Sequence, residues 1–312
     1  MNRKLQICVQ TGDWYDDFFG AEAGADAAFA FIKNLGFEAL DYNLDHVLTP
    51  KQIMQGEKSA FLDQSIEQIL EYYRPVKEAS EKHGVSLAMA HAPFPMNSEE
   101  HPEMDDYMVN SVIKLLAVCQ YLQIPALVVH PIVNKDRAKE WELNMQMYPK
   151  LIPAAKKYGV KICLENMFAF IGGHGTCRAC ANADEACRYI DTLNELAREE
   201  VFGFCYDVGH ANLLSCNIYE DLKILGHRLT VLHVHENDGR LDSHCIPYTY
   251  KNGVNCTTDW EAFLKGLKEI GYTGPLNFEI FAAVKNVPLE IATELLKLVC
   301  GVGNYFRNRL LG

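Results

Sequence analysis

The sequence predicts an α/β fold in which eight parallel strands and eight helices form one (β/α)8 TIM barrel, a single domain over residues 1–312. Short apolar runs rich in β-branched and aromatic residues alternate with segments of helical spacing. Near-continuous apolar strands followed by amphipathic helices indicate parallel strands that are buried on both faces. Eight such repeats favour a closed barrel over an open sheet, and no Gly-x-Gly-x-x-Gly pattern follows the first run.

The predicted elements alternate along the whole chain. Strands are predicted at 5–11, 37–44, 85–93, 126–131, 160–167, 202–210, 229–238 and 275–281. Helices are predicted at 26–35, 60–83, 104–122, 137–158, 184–198, 219–225, 259–270 and 289–306. Four glycines stand between a helix and the next strand, as is typical of helix-ending glycines: Gly36, Gly84, Gly159 and Gly271. The longest loops, 12–24, 45–59, 168–183 and 239–258, all follow strands, on the face where barrel enzymes build their sites.

The net charge, the apolar runs and the cysteine count of the chain exclude some classes of function. The formal net charge of −12 argues against nucleic acid as a partner and favours a small, polar, uncharged substrate. No apolar stretch of 18 residues predicts a membrane span, and no export signal opens the chain. The eleven cysteines, an odd number, therefore indicate reduced thiols in a cytoplasmic protein. The segment from Leu289 onward would pack against a second copy in a homo-oligomer or simply form the eighth helix, so the oligomeric state stays open.

Polar side chains at the strand ends are the strongest functional signal. Seven of the eight predicted strands end in, or run past, a side chain that can bind a metal: Asp41, His91, His130, Glu165, Asp207, His210, His233, His235 and Glu279. Strand ends converge in a barrel, and carboxylates and imidazoles packed together away from water are costly without a cation. Mixed carboxylate and imidazole donors suit Zn²⁺, Mn²⁺ or Co²⁺ better than Ca²⁺.

Strand alternation sorts these candidates by depth. Residues two apart share a face of a strand, which places Glu165, Asp207 and His235 on the inner face at similar height. His233 shares the face of His235 one layer deeper. We therefore expect His233 to belong to the core or to support the ligands from behind.

Six short motifs occur in order along the predicted strands: His-Ala-Pro at 91–93, His-Pro at 130–131, Leu-Glu-Asn at 164–166, Asp-Val-Gly-His at 207–210, His-Glu-Asn-Asp at 235–238 and Phe-Glu at 278–279. Over essentially the whole chain, this pattern resembles the xylose isomerase-like barrel superfamily. That group includes sugar phosphate isomerases and epimerases, inosose dehydratases and the family-two apurinic-site endonucleases.

The resemblance implies a metal-dependent isomerase or epimerase of a small sugar, polyol or sugar phosphate, acting through a metal-stabilised cis-enediolate. It implies the metal ligands Glu165, Asp207, His235 and Glu279. Glu165 and Glu279 would also be the catalytic acid/base pair. Mn²⁺ or Zn²⁺ is favoured as the cofactor, with Co²⁺ and Mg²⁺ as alternatives.

Four further residues are expected to bind substrate: His91, His210, Arg240 and Trp14. For Arg240 the alternative is a solvated loop arginine. For Trp14 the alternative is packing of a loop against the barrel rim, although flat rings near the mouth suit the apolar faces of a sugar.

A second function stays open at this point. Asp242 and His244 resemble the extra ligand pair of the trinuclear zinc endonucleases, and with His91, His130 and His210 they provide candidates for additional metal positions. The alternative is therefore a zinc phosphodiesterase acting on abasic DNA. The negative net charge of the chain favours a sugar over DNA as the substrate. A non-catalytic protein that binds metal or sugar on the same fold is a third hypothesis.

Overall fold

The computed structural model of the chain describes residues 4–252, 255–285 and 287–312, without the side chains at 13, 14, 16–18, 20–23, 252 and 255. Its strands are, in chain order, β1 (Ile7–Gln10), β2 (Ala39–Asn43), β3 (Ser86–His91), β4 (Ala126–Val129), β5 (Lys161–Glu165), β6 (Phe168–Ile171), β7 (His174–Cys177), β8 (Phe202–Asp207), β9 (Leu229–His233), β10 (Lys251–Asn252), β11 (Asn255–Cys256) and β12 (Leu276–Phe278).

Eight of these strands form a parallel barrel. Their order is β12-β1-β2-β3-β4-β5-β8-β9, so each strand pairs with its chain neighbours in the barrel. The two ends of this sheet meet through a parallel bridge between Val234 and Phe278. There the Val234 amide donates to the Asn277 carbonyl at 2.9 Å and the Glu279 amide donates to the Val234 carbonyl at 3.2 Å. The predicted (β/α)8 barrel is confirmed.

Helices surround the barrel. They are α1 (Gly12–Leu35), α2 (Pro50–Met54), α3 (Ile66–Tyr72), α4 (Arg74–His83), α5 (Met104–Tyr121), α6 (Arg137–Met147), α7 (Ile152–Tyr158), α8 (Ala183–Ala197), α9 (Val208–Leu213), α10 (Ile218–Leu225), α11 (Trp260–Glu269), α12 (Phe281–Val284) and α13 (Leu289–Leu311). Short 3-10 turns lie at Asp45–Val47, Tyr148–Leu151 and Gly226–Arg228. The four predicted helix-ending glycines all have positive φ, which confirms the phasing of helices and strands.

Two differences from the predicted elements shape the mouth of the barrel. The predicted loop 12–24 is helical, because α1 begins at Gly12. The predicted loop 168–183 contains the antiparallel hairpin of β6 and β7.

Two long predicted helices are each broken. The segment 60–83 forms α3 and α4, which meet at Tyr73 just before Pro75. The segment 137–158 is interrupted by the 3-10 turn that contains Pro149. Proline lacks an amide hydrogen and disfavours helical geometry in the residue before it, so both breaks occur beside prolines.

Small apolar side chains fill the barrel interior below the mouth. Met89, Val128, Cys163, Cys205 and Val231 form one buried cluster with Ala126. Cys8 packs with Ala39 and Ala88 in a second one. Cys8, Cys163 and Cys205 on the barrel strands are thus buried, and all eleven cysteines are unpaired. Within the described ranges, every helix is too short or too polar to cross a bilayer.

Candidate active site and metal centre

A cavity of about 770 Å³ opens at the carboxyl ends of the barrel strands. Seven of the residues singled out in the sequence line it: His91, His130, Glu165, His210, Asp242, His244 and Glu279. Asp207 and His235 lie fully buried beside them. The barrel therefore brings all nine proposed metal ligands, central and additional, to one place.

Four of these residues form the central group: Glu165, Asp207, His235 and Glu279. The two glutamates border the cavity, and Asp207 and His235 are buried beside it. Nε2 of His235 lies 3.1 Å from Oδ1 of Asp207. Glu279 is held by Gln10, whose Nε2 donates to Oε1 of Glu279 at 2.9 Å. Ligand atoms of His235, His244 and Glu279 all lie within 4.8 Å of one another.

Backbone contacts fix Asp207 rigidly. Its Oδ1 accepts the amide of His210 at 2.7 Å and so caps the first turn of α9. The side chain of Asn166 accepts the Asp207 amide at 2.7 Å and donates to the Asp207 carbonyl at 2.8 Å. The strand predicted at 202–210 therefore ends at Asp207, and His210 reaches the cavity from a helix.

A first outer group consists of His91, His130 and Glu165. Nδ1 of His91 lies 2.8 Å from the Ala92 carbonyl, which can only accept, so this nitrogen carries the proton. Nε2 of His91 then faces Nε2 of His130 at 3.0 Å, and Nε2 of His130 lies 3.1 Å from Oε2 of Glu165. Two imidazole nitrogens this close to a carboxylate require a proton or a cation between them.

A second outer group consists of His210, Asp242 and His244. Nδ1 of His210 donates to the Asn166 carbonyl at 2.8 Å, and Nδ1 of His244 donates to the Glu279 carbonyl at 3.0 Å. Their Nε2 atoms lie 3.6 Å and 3.2 Å from Oδ2 of Asp242. Backbone carbonyls thus orient both rings with Nε2 toward one carboxylate, as histidines that bind metals are commonly oriented.

His233 lies beneath these groups and is fully buried. Its Nδ1 is 3.0 Å from Oε2 of Glu279 and 3.3 Å from Oε1 of Glu165. Its Nε2 is 3.5 Å from Oδ2 of Asp41, which accepts from Asn277. His233 therefore lies behind the two glutamates, at the depth that strand alternation predicts.

The pKa values of the site reflect how closely its carboxylates and imidazoles are packed. Burial alone would raise the pKa of Glu165, but His233 and His130 hold it well below its ordinary value. The pKa of Glu279 is likewise lowered, since His233 and His244 outweigh its burial. Burial would lower the pKa of His244, yet Glu279 and Asp242 raise it to about 9. The neighbouring imidazoles thus favour the ionised forms of Glu165 and Glu279.

The donor set fits a divalent transition metal. Nδ1 of His235 and Oδ1 of Asp242 are buried and make no hydrogen bond within the described part of the chain. Buried polar atoms without partners are rare in folded proteins and often mark an ion that belongs there. A cation bound among these oxygens and nitrogens would replace the imidazole protons.

Aromatic rings form the wall around the histidines. Phe94 packs on His130 with ring centroids 4.3 Å apart, Phe168 on His210 at 4.7 Å and Phe281 on His244 at 4.5 Å. Each ring covers one imidazole of the outer groups and keeps water from that side of it.

For two of the residues predicted to contact the substrate, the structure shows no side chain at the cavity. Arg240 is exposed and does not line the cavity. Trp14 belongs to α1, but its side chain lies outside the described residues. Gln10 was missed in the sequence, although its position at the end of the first strand, level with the other polar strand ends, was the available signal.

Comparisons with known proteins agree with this architecture. A profile of the family described as xylose isomerase-like TIM barrel matches residues 29–298. The chain is 24% identical to inosose isomerase of Bacillus velezensis over 226 residues, which are 70% of this chain and 73% of that protein.

Two solved structures share the fold. A D-psicose 3-epimerase crystallised in the presence of D-fructose superimposes with a TM-score of 0.69 at 13% identity, covering 97% of this chain and 99% of its own. The IOLI protein with a bound zinc atom superimposes with a TM-score of 0.65 at 18% identity, covering 98% of each chain. The chain belongs to the xylose isomerase-like TIM barrel family.

Proposed function

We propose that the protein is a divalent-metal-dependent isomerase or epimerase of a small sugar or polyol. The observation that carries the proposal is the placement of Glu165 and Glu279, which border the cavity from different strands and approach the same nitrogen of His233. Relatives named as a sugar epimerase and an inosose isomerase support this reaction class.

The residues divide into metal ligands and proton-transfer groups. A cation held by Glu165, Asp207, His235 and Glu279 would supply Lewis-acid stabilisation of negative charge on the substrate oxygens. Mn²⁺ or Zn²⁺ suits these donors, and a relative with a bound zinc atom supports a metal here. His91 and His210 line the cavity and would hold substrate hydroxyls.

Proton transfer would run between the two glutamates. One carboxylate removes the proton from the carbon beside the sugar carbonyl, and the C–H electron pair moves into that carbonyl to give an enediolate. For epimerisation the other glutamate must start as the carboxylic acid, and it gives its proton to the opposite face of the same carbon and ends ionised, which inverts that carbon. For isomerisation the first glutamate can return the proton that it removed to the neighbouring carbon, while a proton passes between the two substrate oxygens, which moves the carbonyl. His233 holds both carboxylates in place from below.

The proposal is tested by solvent exchange. Protein reloaded with Mn²⁺ is incubated in D₂O with a panel of ketoses, aldoses and inososes, and NMR follows each C–H position. We expect deuterium at one carbon beside the carbonyl of an accepted substrate, together with its epimer or isomer. A metal-loaded protein that exchanges no sugar proton across the panel contradicts the proposal.

The outer groups support a second candidate, a zinc phosphodiesterase. Each outer group places imidazole Nε2 atoms beside one carboxylate, Glu165 in the first group and Asp242 in the second. Additional zinc positions would need this arrangement of ligand atoms. Against it, no lysine or arginine is among the described residues that line the cavity. Nicking of an abasic duplex by zinc-loaded protein would favour this candidate over sugar chemistry.

A glycine in α9 provides a sharp test of His235 as a ligand. A Cβ atom at Gly209 would lie 1.8 Å from Cε1 of His235, so Gly209→Ala must displace the imidazole ring. We expect a folded variant with at least about tenfold weaker metal affinity, the loss typical when metal-site geometry is disturbed. Metal content after dialysis and circular dichroism measure the two effects.

The matched control is Gly301→Ala in α13, where a Cβ atom meets nothing within 4 Å. This variant should retain metal like the unmodified protein. Unchanged metal affinity in Gly209→Ala would remove His235 from the proposed ligand set.

A further inference from the structure

A second layer of side chains that can bind a metal lies below the central group. On β8 the residue two positions before Asp207 is Cys205, and two positions before His235 stands His233, the last residue of β9. Residues two apart along a strand share a face, so Cys205 and His233 face the barrel axis below the proposed ligands. The barrel thus places a thiol and an imidazole directly beneath its mouth.

The strand register brings Cys205 beside Glu165. These two residues are direct partners in the parallel pairing of β5 with β8, and ligand atoms of Glu165, Cys205 and His233 all lie within 4.8 Å of one another. All three side chains are buried, with at most 1% of each residue exposed. Glu165 also borders the cavity, so an ion can reach this lower layer from the mouth of the barrel.

The distances suit one bound ion. Metal–ligand bonds of about 2.0 to 2.3 Å place the donor atoms of a tetrahedral site about 3.3 to 3.8 Å apart. Nδ1 of His233 already lies 3.3 Å from Oε1 of Glu165. The sulfur of Cys205, within 4.8 Å of both residues' ligand atoms, has to approach by at most about 1 Å. Small side-chain movements are therefore enough to close the three donors around an ion.

The far side of His233 has the surroundings of a metal-binding histidine. Its Nε2 lies 3.5 Å from Oδ2 of Asp41, and Nδ2 of Asn277 donates to the same oxygen at 2.9 Å. Histidines that bind metals commonly direct their second ring nitrogen toward a carboxylate, which fixes the orientation of the ring. Asp41 therefore leaves Nδ1 of His233 as the ligand atom, on the side of Glu165.

We propose that Cys205, His233 and Glu165 form a second metal position that is selective for soft, thiophilic ions such as Cd²⁺. We call it the deep position. A thiolate is a soft donor, whereas the central group offers only oxygen and nitrogen donors, which suit harder ions such as Mn²⁺. On binding, the ion displaces the thiol proton of Cys205 and takes His233 as a neutral imidazole. The chain would thus sort ions by softness between two depths of the barrel.

A charge-transfer band tests the deep position without any substrate. Cd²⁺ is titrated into the full chain after removal of other metals, because a thiolate bound to Cd²⁺ absorbs in the ultraviolet where oxygen and nitrogen ligands do not. We expect a saturable band that is smaller by one bound thiolate per chain in Cys205→Ala than in Cys163→Ala. Bands of equal size in these two variants overturn the proposal.

Cys163→Ala is the matched control for this comparison. Cys163 is as buried as Cys205 and packs in the same apolar cluster, but it belongs to none of the ligand groups found among the described residues. Cd²⁺ held by exposed thiols such as Cys177 contributes equally to both variants and cancels between them.

The ratio of two affinities separates a lost ligand from a damaged barrel. Calorimetry measures the Kd of each variant for Cd²⁺ and for Mn²⁺. A damaged barrel weakens the binding of both ions, whereas loss of the thiolate should lower the preference for Cd²⁺ over Mn²⁺ by at least about tenfold. A preference in Cys205→Ala equal to that of Cys163→Ala contradicts the assignment.

The unmodified protein gives a test that depends on no substitution. X-ray absorption at the cadmium edge, on protein that holds one Cd²⁺ per chain, should show one sulfur ligand beside oxygen and nitrogen. A shell of oxygen and nitrogen alone overturns the proposal.

The deep position and the proposed function fail separately. A thiolate band that depends on Cys205, in a protein that exchanges no sugar proton, would remove the isomerase and keep the deep position. Proton exchange on a sugar, in a protein whose Cd²⁺ binding ignores Cys205, would keep the isomerase and remove the deep position.

Discussion

Turnover should fall by roughly a thousandfold when either Glu165 or Glu279 is replaced by glutamine, within the range that a general acid or base contributes. Glutamine keeps the size of each side chain but can neither remove nor deliver a proton at neutral pH. Both side chains are buried, and the imidazoles beside them lower the pKa of each, which favours the ionised form in the glutamate that acts as the base. Initial rates on the sugar identified by deuterium exchange provide the measurement.

The matched control is Glu195→Gln. Glu195 is exposed on α8 and remote from the cavity, so its rate should stay within about twofold of the unmodified protein, as is usual for surface changes. Metal content separates the two roles of the glutamates, because a variant that keeps its metal but exchanges no deuterium has lost proton transfer alone. Full turnover in either variant would refute the acid/base assignment.

Removal of the metal should abolish activity and also lower thermal stability. Without a cation, Glu165 and Glu279 remain buried among imidazoles, and Nδ1 of His235 and Oδ1 of Asp242 keep no hydrogen-bond partner among the described residues. A ligand present at about 100 times its Kd stabilises the folded state by about 2.7 kcal/mol. We therefore expect chelation to lower Tm by about 5 °C or more, and Mn²⁺ or Zn²⁺ to restore both Tm and activity.

Stoichiometry then distinguishes the two candidate functions. The sugar enzyme should retain about one metal per chain after dialysis, lost in Asp207→Ala and kept in His91→Ala and His244→Ala. About three zincs per chain, with losses in the latter two variants as well, would favour the phosphodiesterase. An activity and a Tm that both survive exhaustive chelation would contradict a metal site at these residues.

The barrel could be predicted from the sequence because its signals are local and repeated. Each strand is a short apolar run, and each glycine at 36, 84, 159 and 271 ends a helix in the conformation expected there. A barrel brings the carboxyl ends of its parallel strands to one opening, so polar side chains at these ends are expected to lie close together. Convergence accounts for the closeness of the seven proposed ligands at or just after strand ends, whereas the ligand roles, and the inclusion of Asp242 and His244 from a loop, came from the resemblance to the xylose isomerase-like barrels.

The sequence predicts two loops where the structure has a helix and a hairpin. Helix α1 starts at Gly12, well before residue 26, and it packs against α4 and α13, contacts that a local pattern does not reveal. The β6–β7 hairpin does have a local signal, since Gly172 and Gly173 both have positive φ and a Gly-Gly pair between two short strands favours a two-residue hairpin turn. The role of Arg240 in substrate binding stays a prediction, and its side chain is exposed.

The short distance between Gly209 and His235 also limits which substitutions this chain can accept. A Cβ atom at position 209 would lie within 2.4 Å of three atoms of the imidazole ring, so alanine there requires the ring or the first turn of α9 to move. The backbone of α9 is thus one wall of the space that the His235 ring fills, and this wall fits the ring only while position 209 carries no side chain.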